Sequence, residues 1–212
     1  MRVTRLRVHP VKSFAGRDVS SAVVRPWGLE GDEADAWLSA RMRMPLRLVW
    51  QPDPLQRPVN TTHGGLPGDG LSLADAGPLL VASEASLTQL DDWTPDDVPP
   101  LDVVRFRPNV VIDGDEPFAE DSWGRVRIGD VRFRFGEVCD RCVVTTIDPV
   151  TLVRGKEPIR TLAKHRKWDG ATWFGVRLIP ELDGDGGADA RSGARAGAPR
   201  IAVGDEVVVE AG

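Results

Sequence analysis

The sequence predicts a mainly β fold of the α+β class, in which short strands form a β-barrel beside a few short helices. Three observations lead to this class. The β-branched and aromatic residues occur in about ten short runs, which are bounded by Gly, Pro or Asp. Helical spacing is confined to three stretches, and no strand–helix–strand alternation indicates a parallel sheet. No segment of the chain repeats.

The strands are predicted in chain order from apolar runs. Residues 2–11 alternate enough to form a first strand, which stops near Pro10. A Gly-Asp turn divides residues 126–138 into two short strands. Pro108 interrupts the run 102–112 and is expected at a bulge or at a sheet edge. The remaining predicted strands cover residues 19–27, 45–50, 139–149, 172–182 and 200–210.

Three helices are predicted between these strands. Residues 32–42 carry apolar side chains at helical spacing. Ser83 is expected to cap a second helix, which begins near residue 84. Residues 157–169 form the third, with Pro158 at its first position. The stretch 184–199 is rich in Gly, Ala and Arg and is predicted to be a flexible surface loop.

The composition is that of a cytoplasmic globular protein. The 212 residues are 41% hydrophobic and 28% charged, which suits one domain or one domain with a small appendage. The net charge of -5 argues against a nucleic-acid partner. The N-terminus lacks the apolar region of a signal peptide, and no run approaches ~20 apolar residues, so no membrane partner is expected. Two cysteines fit a reducing compartment rather than a disulfide framework.

Both cysteines, Cys139 and Cys142, lie in one C-x-x-C spacing, and three interpretations of this pair stay open. A thioredoxin-like pair normally begins a helix, but the β-branched run after Cys142 is a poor helix start. A structural zinc site needs four ligands, and His9, His63 and His165 have no short ligand spacing. Both thiols could also be small buried residues at a strand end, which is common for free cysteines.

Three polar stretches accompany the cysteine pair, and the first two of them carry groups that suit an anionic ligand. An ammonium, a hydroxyl and a guanidinium all bind phosphate. Alone, each stretch also has an ordinary explanation, as a solvated charge, a surface ion pair or strand threonines. The stretches contain Lys12 and Ser13, then Arg107 and Asn109, and finally Thr145, Thr146 and Asp148.

Taken together, the motifs of this chain resemble those of the MOSC domains, the C-terminal domains of molybdenum cofactor sulfurases. The C-x-R-C-x-x-T-T-x-D-P string is specific, and F-R-P-N upstream argues against a chance match. The motifs are similar to those of bacterial amidoxime-type reductases and of the mitochondrial amidoxime-reducing component. The matched stretches are HPVKS (9–13), SEASL (83–87), FRPNVVI (106–112), EDSW with IGDV (120–123 and 128–131), CDRCVVTTIDP (139–149), KEPIRTL (156–162) and IAVGDEVVV (201–209).

The resemblance implies a fold and a cofactor. The fold would be a MOSC-type β-barrel over residues 51–212 with a shortened N-terminal β lobe over residues 1–50. The cofactor would be the molybdenum cofactor, molybdopterin, and Cys142 would ligate the metal, for which a soft thiolate is suited. Lys12 and Ser13 would bind the phosphate of the cofactor, and Arg107 and Asn109 would bind its phosphate or its pterin. Asp140 and Arg141 would bind it through their backbone amides. Thr145, Thr146 and Asp148 would support the cysteine loop, which comprises residues 139–149.

The resemblance also implies a reaction, the two-electron reduction of small N-hydroxylated substrates such as amidoximes and hydroxylamines. Two cysteines are too few for a four-thiolate iron–sulfur cluster beside a metal ligand, and no dinucleotide-binding fingerprint is present. A separate electron-donor redox protein is therefore expected.

The N-terminal part departs from the family pattern. After the G-L-x-G-D segment at 28–32, family members usually have an Arg, where this chain has Glu33. A negative charge replaces a phosphate-binding guanidinium there, and the lobe is short. The phosphate end of the cofactor is therefore expected to be less enclosed.

Two other functions stay open. The chain could be a carrier or binding module that holds the cofactor, or sulfur on Cys142, for another enzyme. It could also be a thiol redox protein that uses Cys139 with Cys142. Pyridoxal phosphate belongs to the wider family, because this chain has no room for the desulfurase domain of the fused sulfurases.

Overall fold

The structure is a computed structural model that describes residues 1–9, 16–25, 28–29, 56–71, 74–182 and 199–210. The helix predicted at 32–42 and the strand predicted at 45–50 lie outside the described residues, as does nearly all of the predicted loop. The strands are β1 (Val3–Val8), β2 (Arg17–Val19), β3 (Ser21–Arg25), β4 (Gly28–Leu29), β5 (Leu79–Ser83), β6 (Val110–Ile112), β7 (Arg125–Ile128), β8 (Val131–Asp140), β9 (Lys167–Trp168), β10 (Ala171–Glu181), β11 (Arg200–Ala202) and β12 (Val207–Glu210).

Nine strands form one mixed sheet in the order β12-β7-β8-β10-β5-β6-β1-β2, with β9 paired to β10. Strands β5 and β6 are parallel, and the other pairs are antiparallel. A second sheet has the order β11-β3-β4. The mainly β class that the sequence predicts is therefore confirmed.

The predicted barrel is not closed in the part of the chain that the structure describes. Strand β2 forms one edge of the large sheet and β12 forms the other. At the start of β1, Arg2 forms an isolated bridge with Glu206, and the Val3 N–H donates to the Asp205 carbonyl at 2.9 Å, but the edge strands β2 and β12 do not pair with each other among the described residues. The division at residue 50 stays a prediction, although β1 and β2 pair within the large sheet.

The core lies on both faces of this sheet. Leu6, Phe133 and Leu178 are fully buried in the larger apolar cluster. Phe106 and Phe174 belong to the second cluster and stack with ring centroids 4.0 Å apart. Strand β10 is buried along most of its length because it pairs with both β8 and β5. Burial of such side chains stabilises the fold by about 25 cal/mol per Å² of apolar surface.

Gly175 allows the bulge that bends β10. The register between β10 and β8 shifts between Trp173 and Val176. Gly175 has a φ of 73°, and a Cβ there would lie 2.7 Å from the Val81 carbonyl oxygen. A larger residue would therefore be strained by its backbone and would clash with β5.

Two helices pack against the sheet. Helix α1 (Glu84–Trp93) begins as predicted at Ser83, whose hydroxyl accepts from the Ser86 N–H at 3.4 Å. Helix α2 (Ile159–His165) is shorter than predicted, because residues 167–168 pair with β10 as strand β9. Pro158 caps α2 and is not its first residue.

Two predicted strands are partly replaced by 3-10 turns. In the run 102–112, only β6 is a strand, and Val103–Phe106 forms a turn that the Asp102 side chain caps. In the run 139–149, β8 ends at Asp140 and Val143–Thr146 forms a turn. Side chains that bond to nearby backbone groups, as Asp102 does, compete with strand pairing and explain both errors. The runs 19–27 and 200–210 are also each divided by a turn.

Candidate cofactor site

Cys142 is exposed on the cysteine loop, and hydrogen bonds from Thr145 and Thr146 hold this loop in place. The Thr145 hydroxyl donates to the Cys142 carbonyl at 2.9 Å, and the Thr146 hydroxyl donates to the Val143 carbonyl at 2.7 Å. Both threonines are buried, whereas Cys142 is exposed. Because the hydroxyls are used within the turn, these threonines fix the loop that presents the thiol.

The two cysteines have different surroundings. Cys139 is buried, and its sulfur lies 2.8 Å from Nη1 of Arg141. Nη2 of Arg141 donates to the Phe106 carbonyl at 2.7 Å, so this guanidinium links the cysteine loop to the turn before β6. The Arg141 N–H donates to the Thr172 carbonyl at 2.7 Å. The Arg141 N–H is therefore used within the fold, and the binding of a cofactor by Asp140 and Arg141 stays a prediction.

Arg107 lies in the turn that faces this loop. Its φ of 57° is in the left-handed region, and its N–H bonds to the Val104 carbonyl at 3.0 Å. Burial lowers the pKa of the Arg107 guanidinium, and the positive charges of Arg7 and Arg141 lower it further against the opposing effect of Asp75. The guanidinium of Arg107 is thus close enough to those of Arg7 and Arg141 for their charges to act on it.

Asn109 links strands on either side of this turn. Its Oδ1 accepts from the Leu80 N–H at 2.9 Å, and its Nδ2 donates to the Arg7 carbonyl at 3.3 Å. The amide therefore joins β5 to β1 beside the arginine cluster.

Asp148 lies near the C-terminal end of the cysteine loop and accepts hydrogen bonds from the residues that follow it. Its Oδ1 accepts from the Thr151 N–H at 2.8 Å and from the Val150 N–H at 3.0 Å. These hydrogen bonds hold the pKa of Asp148 below its ordinary value, with help from Arg105. Nη2 of Arg105 lies 2.5 Å from Oδ2 of Asp148. Asp148 therefore positions the loop through the turn that contains Arg105.

Asp140 is one of several charged side chains that form ion pairs at the end of β8. Its Oδ1 accepts from Nη2 of Arg177 at 2.8 Å, and Arg177 also pairs with Glu137. Burial lowers the pKa of the Arg177 guanidinium. The effects of Cys139, Glu137 and Asp140 together are larger, so the pKa is raised above its ordinary value. Nδ1 of His63 lies 2.7 Å from Oε1 of Glu137.

Arg7 is a site residue that the sequence analysis missed. Its Nη2 donates to the Gly16 carbonyl at 2.8 Å, and its Nε lies 3.5 Å from Oδ1 of Asp18, with which it forms an ion pair. Nη1 of Arg7 and Nε of Arg141 are buried without a hydrogen-bond partner among the described residues. The signal was present in β1, where buried Leu6 and Val8 alternate with Arg5 and Arg7 and so place the arginines on the other face.

The arginine cluster, defined as Arg7, Arg107 and Arg141, fits an anionic group such as a phosphate. Buried N–H groups without partners are costly, and a bound anion would satisfy them. Lys12 and Ser13 lie outside the described residues. His9 is beside the cluster, because its Nε2 lies 3.5 Å from the carbonyl of Pro108, which follows Arg107.

A surface depression of about 380 Å³ lies elsewhere and does not fit an anion. Its lining includes Glu84, Asp92, Asp113 and Asp115, which would repel one. Across the described residues, no three His, Cys, Asp or Glu side chains form a group that could hold a metal ion. No helix in the described part of the chain is long and apolar enough to cross a membrane.

The family model described as MOSC domain matches residues 68–208. The chain belongs to the MOSC family. It is 35% identical to the human mitochondrial amidoxime-reducing component 1 over 171 residues, which cover 79% of this chain and 46% of that protein. It is 34% identical to the molybdenum cofactor sulfurase of Danio rerio over 161 residues, covering 70% of this chain and 19% of that protein. The chain thus spans less than half the length of these curated relatives.

A solved structure shares the fold of this MOSC chain. The YUAD protein from Bacillus subtilis superposes with a TM-score of 0.52 over 97% of this chain and 93% of that one, at 12% identity. The MOSC match begins at residue 68, so it includes Arg107, Asn109 and the whole cysteine loop but not Arg7.

Proposed function

We propose that this MOSC chain binds the molybdenum cofactor with Cys142 as the metal ligand and reduces N-hydroxylated substrates. The observation that carries the proposal is the exposed thiol on a loop fixed by Thr145 and Thr146, directly after an arginine that belongs to a half-buried guanidinium cluster. A thiolate suits the metal, and guanidinium groups suit the phosphate of the same cofactor.

Each site residue has a distinct role in this proposal. Arg7, Arg107 and Arg141 bind the anionic end of the cofactor, together with Lys12 and Ser13. Asn109 holds β1 and β5 in place around that cluster. Asp148 and Asp140 position the cysteine loop through Arg105 and Arg177. Arg7 supplies a guanidinium in a chain where Glu33 stands at the position of the usual arginine.

The proposed reaction needs two electrons and two protons. An N-hydroxyl compound, R–NHOH, is converted to R–NH₂ and water, so the N–O bond breaks and the oxygen leaves as water. The bound cofactor supplies a redox centre with an open coordination position. The chain supplies the thiolate, orients the cofactor and offers a surface at which an external donor binds and delivers electrons. The name of the amidoxime-reducing component supports this substrate class.

Turnover of an amidoxime is the test of this proposal. Protein produced in a host that makes the cofactor is assayed for benzamidoxime reduction to benzamidine, with reduced methyl viologen as the electron source. We expect activity in the wild type and in Cys139→Ala, and a loss of at least about a hundredfold in Cys142→Ala, because a metal ligand is removed. Absence of turnover by a wild type that contains the cofactor would contradict the reductase function.

A carrier of the cofactor or of sulfur is the second candidate. The similarity to a molybdenum cofactor sulfurase and the exposure of Cys142 favour it. Full cofactor content without turnover, followed by transfer of the cofactor to an apo-enzyme, is the result that this function predicts.

A further inference from the structure

An exposed aliphatic surface begins beside Cys142. Val150, Leu152 and Val153 are 85%, 74% and 67% exposed. Contiguous exposed apolar side chains in one segment indicate an interaction site, whereas single ones do not. We define the aliphatic loop by its six exposed members, which are Val143, Val144, Ile147, Val150, Leu152 and Val153.

The aliphatic loop has a defined internal structure. Ile147 pairs with Arg154 in an antiparallel bridge, and the Gly155 N–H donates to the Thr146 carbonyl at 2.9 Å. The Leu152 N–H donates to the Asp148 carbonyl at 2.9 Å. The backbone is therefore fixed, and its apolar side chains are presented to solvent by that scaffold.

The border of the aliphatic loop is basic, although the chain as a whole has a net charge of -5. Between residues 143 and 168, the carboxylates are Asp148 and Glu157, and these pair with Arg105 and Arg160. Apart from Arg160, which pairs with Glu157, the exposed cations of the same stretch are Arg154, Lys156, Lys164 and Lys167. An apolar centre with a positive border is complementary to an apolar centre with a negative border.

We infer that the aliphatic loop and its basic border form the docking face for a small acidic electron-carrier protein. This inference rests on the proposed function, because each turnover of the reduction consumes two electrons that must come from outside the chain. Two successive one-electron deliveries by the carrier supply them, and each oxidised carrier then leaves. The face adjoins Cys142, so a carrier bound there brings its redox group next to the site. The carrier must dissociate between deliveries, which suits a small apolar contact with electrostatic steering.

An anionic membrane is the competing occupant of such a face. Basic residues beside exposed aliphatic side chains also favour anionic lipid. Interfacial membrane segments commonly include Trp or Phe, whereas the exposed apolar residues of the aliphatic loop itself are only Val, Leu and Ile, and the nearest exposed Trp in the sequence is Trp168, next to Lys167 of the border. An electron carrier must also bind close to Cys142 to transfer electrons, whereas lipid need not, so the position of the loop favours the carrier.

The test compares two electron sources for the same holoenzyme. Reduced methyl viologen needs no docking face, whereas an acidic plant-type ferredoxin, kept reduced by NADPH and its reductase, does. The variants are Val150→Asp with Leu152→Asp, and separately Lys156→Glu with Lys164→Glu. Leu66→Asp is the matched control, because Leu66 is 57% exposed and lies outside the aliphatic loop.

We expect both double variants to raise the ferredoxin KM by about tenfold or more and to leave the viologen rate unchanged. Higher salt should raise the same KM in the wild type. Equal effects on both electron sources, or no effect on either, would overturn the docking face. No saturable use of ferredoxin by an enzyme active with viologen would also overturn it.

Two further measurements separate the remaining outcomes. Ferredoxin binding is titrated calorimetrically with the cofactor-loaded protein. Binding of ferredoxin without turnover would contradict the reductase function but would support the docking face. Vesicles of phosphatidylglycerol are titrated in parallel. Loss of vesicle binding in the double variants, with ferredoxin use intact, would identify the face as lipid-binding and contradict the inference.

Discussion

At the scale of single residues, the two cysteines differ because their neighbours differ. Cys139 is buried against Arg141, whereas Cys142 is exposed at the start of a turn. The sequence spacing is symmetric and cannot separate them. The resemblance to the MOSC family suggested Cys142 as the ligand, and the exposure of its thiol supports that assignment as a proposal.

Arg7 is the residue whose replacement most directly tests the arginine cluster. We expect Arg7→Ala to lower the retained pterin by about tenfold after dialysis, because a charged hydrogen bond contributes about 1.5–3 kcal/mol. The measurement is pterin fluorescence after oxidation, per mole of folded protein. Arg5→Ala is the control, since Arg5 also lies on β1 and pairs with Asp18. Equal pterin retention by the two variants would remove Arg7 from the site.

At the scale of elements, the strands and α1 were predictable because their signals are local. Alternation along β1, the Gly-Asp turn between β7 and β8, and the Ser83 cap each fall within a few residues. The turns at 103–106 and 143–146 were not predicted. Their sequences are β-branched, but the Asp102 side chain and the hydroxyls of Thr145 and Thr146 bond to the backbone and favour turns.

The 3-10 turn Ala119–Ser122 contains a buried carboxyl that makes stability depend on pH. Glu120 accepts from the Ser86 hydroxyl at 2.7 Å, and burial raises its pKa despite this bond. The folded state therefore holds a proton that the unfolded state releases first. The stabilising contribution is complete below the unfolded pKa and is lost as the pH rises through the folded pKa.

Glu120→Gln should consequently stabilise the protein at pH 8. We expect a gain of about 1 kcal/mol in the free energy of unfolding and a weaker loss of stability between acidic and neutral pH, because no buried charge has to form. Urea denaturation at several pH values measures both. Asp121, whose pKa burial also raises, is present in both proteins, and its charge raises the pKa of Glu120 further, so the difference includes the coupling of this pair. Glu116→Gln, at an exposed carboxylate, is the control, and an equal effect there would contradict the explanation.

At the scale of the whole molecule, the large sheet brings separate parts of the chain to one site. The end of β1, the turn before β6 and the loop after β8 meet there, although more than 130 residues separate Arg7 from Arg141 (141 − 7 = 134). Single-sequence patterns cannot predict such a meeting, because strand order depends on long-range pairing. Motif resemblance identified all three segments, the first of them through HPVKS at 9–13, but it did not indicate Arg7 or the open sheet.

The central claim is that Cys142, and not Cys139, holds molybdenum. The most direct measurement is the molybdenum content of wild type, Cys142→Ser and Cys139→Ser, each produced in a host that makes the cofactor. We predict close to one molybdenum per wild-type chain, similar content in Cys139→Ser, and a loss of at least about tenfold in Cys142→Ser. Equal molybdenum content in all three proteins, or a loss confined to Cys139→Ser, would contradict the account.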